Sequence, residues 1–152
     1  MRFFNLLLCT VTLCTSNFAN AVRFSDCGST NVVVTAVDIF PCNQDPCRLV
    51  KGTSVTIRIR FRSIASIIAG DARFEGSFGG RPVLLPFAPN GVCRRLNPPC
   101  PILPGRFYVY SYTDVIPQEL RSGLLNVRWK LLNASGVEFL CVDFSVQIVE
   151  DS

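Results

Sequence analysis

Residues 53–63 read Thr-Ser-Val-Thr-Ile-Arg-Ile-Arg-Phe-Arg-Ser, and this stretch constrains the fold more than any other. Val55, Ile57, Ile59 and Phe61 alternate with Thr56, Arg58, Arg60 and Arg62. Successive side chains of a strand point to opposite faces, so one face is apolar and the other polar and cationic. At helical spacing the arginines interrupt every apolar stripe, which excludes a helix. A strand with one apolar face needs a second layer to cover it. What fills the space between the layers, side chains alone or side chains plus a guest, is then the functional question.

The chain has 152 residues, which is room for one domain. It opens with Met1-Arg2, the apolar run Phe3 to Cys14 and the polar stretch Thr15 to Ala21. Ala19-Asn20-Ala21 places small residues where a signal peptidase reads, so residues 1–21 are expected to be a secretory signal and residues 22–152 the mature domain. The apolar run is too short for a membrane span, and nothing later is long enough, so a soluble mature chain is expected. Of eight cysteines, Cys9 and Cys14 leave with the signal. The six that remain, in an oxidising compartment, read as three disulfides. The count alone does not assign them. Cys42 and Cys47, beside Pro41 and Pro46, are read as closing one small loop, and Cys93 and Cys100, around Asn97-Pro98-Pro99, a second. Cys27 is then left with Cys141, a link from the first strand to the last. A zinc site is not expected, because the spacings are wrong for a finger and there is no histidine.

Further strands are expected at Val22 to Asp26, Asn31 to Phe40, Ala72 to Phe78, Pro82 to Phe87, Arg106 to Val115, Leu124 to Leu132 and Val137 to Val149. Pro41 to Cys47 reads as a loop. Six prolines between Pro86 and Pro104 make the segment there irregular or edge structure. In Arg106 to Val115 the residues Phe107, Val109 and Ser111 share one face, and Tyr108, Tyr110 and Tyr112 the other. Asn133-Ala134-Ser135 is an N-glycosylation sequon in a hairpin turn. About eight strands with turn signals at short intervals and no strong helix argue an all-β sandwich of two antiparallel sheets.

Catalysis finds little support. Without histidine the usual general base, the usual metal ligand and both Ser–His and Cys–His pairs are missing. The carboxylates are scattered, and Gly76, Gly79 and Gly80 sit where a turn is wanted, not in a phosphate loop. The formal net charge of +4 is mild and does not imply nucleic acid. The arginine row at 58, 60 and 62 reads as a solvated strand face. The other reading makes it, with Arg94 and Arg95, a contact for anionic lipid or an acidic partner. The positive signal is apolar: 49% of the chain is hydrophobic and Phe alone numbers 12. That is either a well-filled core or a core that stays parted and admits an apolar ligand; composition does not choose.

Val22-Arg23-Phe24-Ser25-Asp26-Cys27-Gly28-Ser29 resembles the mature start of the Niemann-Pick type C2 proteins. Further matches are Pro41-Cys42 to Pro46-Cys47, Lys51-Gly52, Gly80 to Pro82-Val83, Cys93, Cys100-Pro101, Tyr108 and Tyr110, Trp129, Phe139 to Cys141, and Val146-Gln147-Ile148-Val149. The chain is thereby identified as similar to the ML (lipid-recognition) domain family, which includes group 2 mite allergens and lipopolysaccharide co-receptor proteins. The resemblance covers the whole mature chain. It implies an immunoglobulin-like β-sandwich enclosing an apolar cavity, with disulfides Cys27–Cys141, Cys42–Cys47 and Cys93–Cys100. It implies a ligand, cholesterol in the type C2 proteins, which is handed to a membrane partner in late endosomes and lysosomes. Three apolar positions of their sterol pocket fall on Leu85, Ile116 and Leu120, where the family usually has Phe, Val and Tyr. Phe87, Val115, Tyr110, Trp129, Val142 and Phe144 are further pocket candidates, each of which would be core in any sandwich.

The expected function is therefore a secreted lipid carrier, extracellular or in the lysosomal or endosomal lumen. It would bind sterol or another apolar lipid and deliver it to a membrane or membrane-protein acceptor as a monomer, with no cofactor, no metal and no enzymatic activity. Fatty acids and small volatile ligands remain open at the altered pocket positions. Two alternatives stand beside it: an innate-immune protein that binds microbial lipid such as lipopolysaccharide, and an adhesion module with a filled core. Ser63 to Gly70 is unusually apolar. Ile64, Ile67 and Ile68 are expected either to touch membrane or a lid near the pocket mouth, or to continue a strand into the core.

Overall fold

A computed structural model describes residues 21–151. The expected signal, apart from Ala21, lies outside the described residues. Ten strands form the structure: β1 (Ser25–Asp26), β2 (Val32–Phe40), β3 (Cys47–Val50), β4 (Ser54–Ser63), β5 (Ala69–Phe78), β6 (Arg81–Val83), β7 (Leu96–Asn97), β8 (Phe107–Val115), β9 (Gly123–Asn133) and β10 (Glu138–Val149). A 3-10 turn, Cys93–Arg95, leads into β7. One sheet runs β2-β4-β8-β7. The other runs β1-β10-β9-β5-β6, with β3 on the same edge of β10 as β1. Every pairing is antiparallel except that of β3 with β10.

The alternating stretch is β4, paired to β2 on one side and β8 on the other. Val55, Ile57, Ile59 and Phe61 are buried, and Arg58, Arg60 and Arg62 face outward. Arg60 Nε lies 2.7 Å from Asp38 Oδ2, and the Arg58 guanidinium sits 4.9 Å from the Phe40 ring centroid. Two of the three arginines thus have partners within the sheet itself. Opposite β4, the inward residues Leu125, Val127, Trp129 and Leu131 of β9 and Leu140, Val142, Phe144, Val146 and Ile148 of β10 complete the core.

Several expected boundaries move, for local reasons. The first strand keeps only Ser25–Asp26, and Asn31, with φ 65°, turns the chain before β2 begins. Leu49 is buried, and Cys47 to Val50 join β10 as a parallel strand where the end of a loop was expected. The strand expected over Pro82 to Phe87 stops at Val83, and Pro86 beyond it offers no amide to a ladder. Leu84, 98% exposed, is followed by a crossing segment that spans from β6 to the β7–β8 edge of the facing sheet.

All three disulfides form as expected: Cys27–Cys141, Cys42–Cys47 and Cys93–Cys100. Asn133 N–H donates to Val137 O across the β9–β10 hairpin. Its side-chain Oδ1 accepts from the amides of Ser135 and Val137, and Gly136, at φ 81°, completes the turn.

The two ends of the sandwich differ. At the Ser63 end of β4, Phe61 stacks on Tyr108 (5.6 Å) and meets Phe139 edge-on (6.4 Å), with Ile102 fully buried nearby. This end is solid. Here the apolar segment 64–68 lies, with Ile67 buried and bridged to Ile102 and with Ile64 and Ile68 exposed. Ala134 N–H donates to Ile68 O, which fixes the segment beside the glycosylation turn.

Candidate functional site

At the Ser54 end the packing is incomplete. A cavity of about 30 Å³ lies between the sheets. Its free wall is entirely apolar, supplied among others by Val55 and Ile57 of β4, Phe74 of β5, Trp129 of β9 and Phe144, Val146 and Ile148 of β10. Ile116 and Leu120, in the connection after β8, close it on one side and Phe87 on another. Trp129 forms its aromatic wall with Phe74 (ring centroids 4.7 Å) and Tyr112 (5.4 Å), and Phe74 meets Phe87 edge-on at 5.2 Å. Leu49, Leu125 and Val127 also line it.

Five expected pocket residues meet at this cavity: Ile116, Leu120, Phe87, Trp129 and Phe144. Four do not line it. Leu85 lies over the inner side of Gly76, where a Cβ would stand 2.4 Å from Leu85 Cδ1 and 3.2 Å from Leu125 Cδ1. It seals the β5 edge instead. Val115 is 51% exposed, because the alternation that turns Tyr112 inward turns Val115 outward. Val142 and Tyr110 are fully buried next to Trp129, Val142 as its partner across the β9–β10 ladder and Tyr110 with its ring 5.9 Å away, beyond the cavity's inner end. The segment 64–68 is not at a cavity mouth. It stands at the opposite end of β4 from Val55, roughly 20–30 Å away at about 3.3 Å per residue.

Sequence reading missed Tyr112 and Asp114. The Tyr112 hydroxyl donates to Asp114 Oδ2 (2.5 Å) and accepts from Ala88 N–H (3.3 Å), pinning the crossing segment to β8. Burial first, and then this hydrogen bond, push the Tyr112 hydroxyl up to about 12. Burial raises Tyr110 to about 12 as well, against the neighbouring Trp129 indole. Both hydroxyls stay neutral at any physiological pH.

A second concavity, about 1220 Å³, is open and lies over β5, β9 and β10. It is lined by Glu75, Asn126 and the Arg128–Asp143 ion pair (2.7 Å) together with apolar residues that include Phe24, Leu84 and the expected pocket residue Leu85. Among the described residues no group of three His, Cys, Asp or Glu side chains could hold a metal ion, and no helix is long and apolar enough to cross a membrane.

The family model for the ML domain matches residues 21–148. The chain belongs to the ML-domain family. The zebrafish (Danio rerio) protein named NPC intracellular cholesterol transporter 2 is 36% identical over 131 residues, covering 86% of this chain and 87% of that one. Its mouse (Mus musculus) namesake is 34% identical over 151 residues, covering 97% of this chain and 99% of that one. The crystal structure of a Niemann-Pick type C2 protein from the Japanese carpenter ant superposes with a TM-score of 0.72. It is 20% identical and covers 84% of this chain and 99% of that one, a likeness of fold.

The titrating groups of this ML domain predict a pH plateau. Asp26 is lowered: burial opposes this, but amide N–H groups of Ser29 and Gly28 outweigh it. Glu150 is lowered by its hydrogen bond from Lys51. Lys130 is raised by its hydrogen bond to Glu138, and Arg128 by its hydrogen bonds to Asp143. The depressed carboxylates contribute stability above their ordinary range and lose it only as pH falls through their lowered values. The raised cations contribute below theirs and lose it only as pH rises through values in the alkaline range. With no histidine to titrate between, thermal midpoints are expected to agree within about 2 °C from pH 5.5 to 7.5. Differential scanning calorimetry checks this; a steep change inside that window contradicts it.

Proposed function

We propose that this ML domain is a non-enzymatic carrier that holds a sterol or similar lipid between its sheets and delivers it to a membrane or membrane-protein acceptor. The observation that carries the reading is the position and chemistry of the cavity: an unfilled, wholly apolar space between the sheets of an ML fold. Relatives aligned over nearly their full length are named intracellular cholesterol transporters, which favours sterol over microbial lipid. The sites in the proposal are Ile116, Leu120, Phe87, Trp129 and Phe144 for ligand contact.

A lipid needs on the order of 300 Å³ or more, so binding requires the sheets to part from the closed geometry. The crossing segment is the part best able to yield. Between Val83 and Gly91 its amides are tied to the sheets, among the described residues, only by Ala88 to Tyr112. Burying roughly 300 Å² of ligand surface gives about 7 kcal/mol before association costs, enough to separate apolar walls that lose little on meeting lipid. A neutral ligand demands no charged partner inside. Release follows when an acceptor offers the same apolar contact.

Leu120→Asp places a charge against the cavity and is expected to weaken sterol binding at least about tenfold and to stop transfer between liposomes. Wild-type transfer rates in the variant would remove the cavity from the mechanism. The carrier is further proposed to work as a monomer in the secretory, extracellular or lysosomal lumen. It is proposed to carry a glycan on Asn133, whose amide nitrogen is free of the turn's hydrogen bonds. That turn is at the solid end, so a glycan leaves the lipid route open. A secreted protein with the mass of the bare mature chain would refute the modification.

A further inference from the structure

The connection from β8 to β9 carries Ile116 and Leu120 against the cavity. Leu120 N–H donates to Pro117 O (3.3 Å), which folds the connection into a turn. A second turn, Lys51 to Thr53 between β3 and β4, grips it at three points. Gly52 N–H donates to Ile116 O (2.7 Å), and Ile116 N–H donates to Thr53 O (2.9 Å). Gly52, at φ 81°, has no room for a Cβ, because Gln118 Nε2 occupies that space. At the far end of the connection Ser122 Oγ donates to Glu150 Oε1 (3.0 Å), and the same oxygen accepts from Lys51 Nζ (2.5 Å).

Lys51 is therefore tied to both ends of this wall, by its own turn to Ile116 and through Glu150 to Ser122. Its side chain is 7% exposed and that of Glu150 68%. Burying an ammonium is costly unless an anion meets it. Glu150 is the partner of Lys51 in its one ion pair among the described residues. Lys51 N–H also donates to Val149 O (3.0 Å), so the pair is held where β3 and β10 end together.

The other side of the cavity is held differently. Phe87 closes it from the crossing segment, whose tie to β8 is the single long bond from Ala88 N–H to the Tyr112 hydroxyl (3.3 Å). One wall is bonded at both ends and carries a charged bridge; the facing one hangs on a neutral contact.

We propose that Lys51 is a positioning residue that, through Glu150 and Ser122, latches the wall carrying Ile116 and Leu120, so that lipid passes on the side of the crossing segment. This rests on the carrier reading and names the fixed side of the same cavity. The latch touches no ligand. Breaking it lowers the barrier to opening equally from the empty and the loaded protein, so entry and exit quicken by the same factor and affinity stays as it was.

Stopped-flow energy transfer from Trp129 to dehydroergosterol reads both rates on the intact secreted protein. The sterol is delivered from methyl-β-cyclodextrin and displaced by excess cholesterol. Glu150→Gln and Ser122→Ala are each expected to raise both rates about two- to fivefold, the worth of a partly exposed charged contact, with the dissociation constant unchanged. The double variant is expected to be no faster than the faster single one, because both substitutions break one bridge. Raising NaCl from about 0.05 to 0.5 M should move the wild type toward Glu150→Gln and leave that variant where it is. Arg128→Gln, which breaks an ion pair on the outer face of β9, is expected to keep wild-type rates. Unchanged rates in Glu150→Gln, faster exit alone with weaker binding, or the same acceleration in Arg128→Gln would each overturn the latch and leave the carrier standing. No sterol uptake by the wild type overturns the carrier reading and the latch with it.

Discussion

Replacing Cys27 and Cys141 together by serine is expected to lower the free energy of unfolding by about 4–5 kcal/mol. The bond closes a span of 114 residues, nearly the whole described chain, so it removes more unfolded-state freedom than either other disulfide. It also holds β1 to β10, where Cys27 N–H donates to Cys141 O and Ser25 pairs with Asp143. The bonds Cys42–Cys47 and Cys93–Cys100 span only 5 and 7 residues and are expected to contribute about half as much. Denaturant unfolding of the three double-serine variants checks the order. Equal losses from all three would mean that local geometry, not loop length, sets their worth.

Trp129→Ala is expected to cost about 3–5 kcal/mol. Trp129 is fully buried and touches aromatic side chains from both sheets: Phe74 across its own sheet, and Tyr110 and Tyr112 from the facing one. No neighbour can move in easily to replace it, because β9 is held by ladders to β10 and β5 and β8 by its ladder to β4. The vacated volume joins the existing cavity, so the variant should still take up sterol while unfolding at a much lower denaturant concentration. A loss below about 1 kcal/mol would show that the walls collapse freely around the site.

These results bear on how much the sequence already displays. The alternation in β4, β9 and β10 states which residues face inward, and the structure agrees except that Leu132, Phe139 and Cys141 are buried as well, near a register shift at the start of β10. In β8 it states two faces without ranking them. Phe107, Val109 and Ser111 look as apolar as the tyrosine row, and only the pairing with β4 and β7 decides that Tyr108, Tyr110 and Tyr112 go in. That choice places Val115 outside and Tyr112 and Asp114 at the cavity.

Leu85 illustrates a second limit of pattern. Its position matches a pocket residue of the family, yet its side chain is spent covering Gly76, a contact made across 9 residues of chain that no local rule predicts. The segment 64–68 is a third. Its composition is as apolar as a membrane contact should be, but composition carries no information about which end of the sandwich it caps. The strand β3 escaped notice because four residues after a disulfide loop carry too little periodicity.

Trp129 is the only tryptophan of the chain and a wall of the cavity, so its fluorescence reports directly on whether a lipid enters between the sheets. Titration with dehydroergosterol, whose triene absorbs where tryptophan emits, should give saturable energy transfer from Trp129 at one sterol per protein, reversed by unlabelled cholesterol. Emission that stays unchanged through micromolar sterol, with the protein folded, would mean that the sheets do not part and that this sandwich carries no sterol.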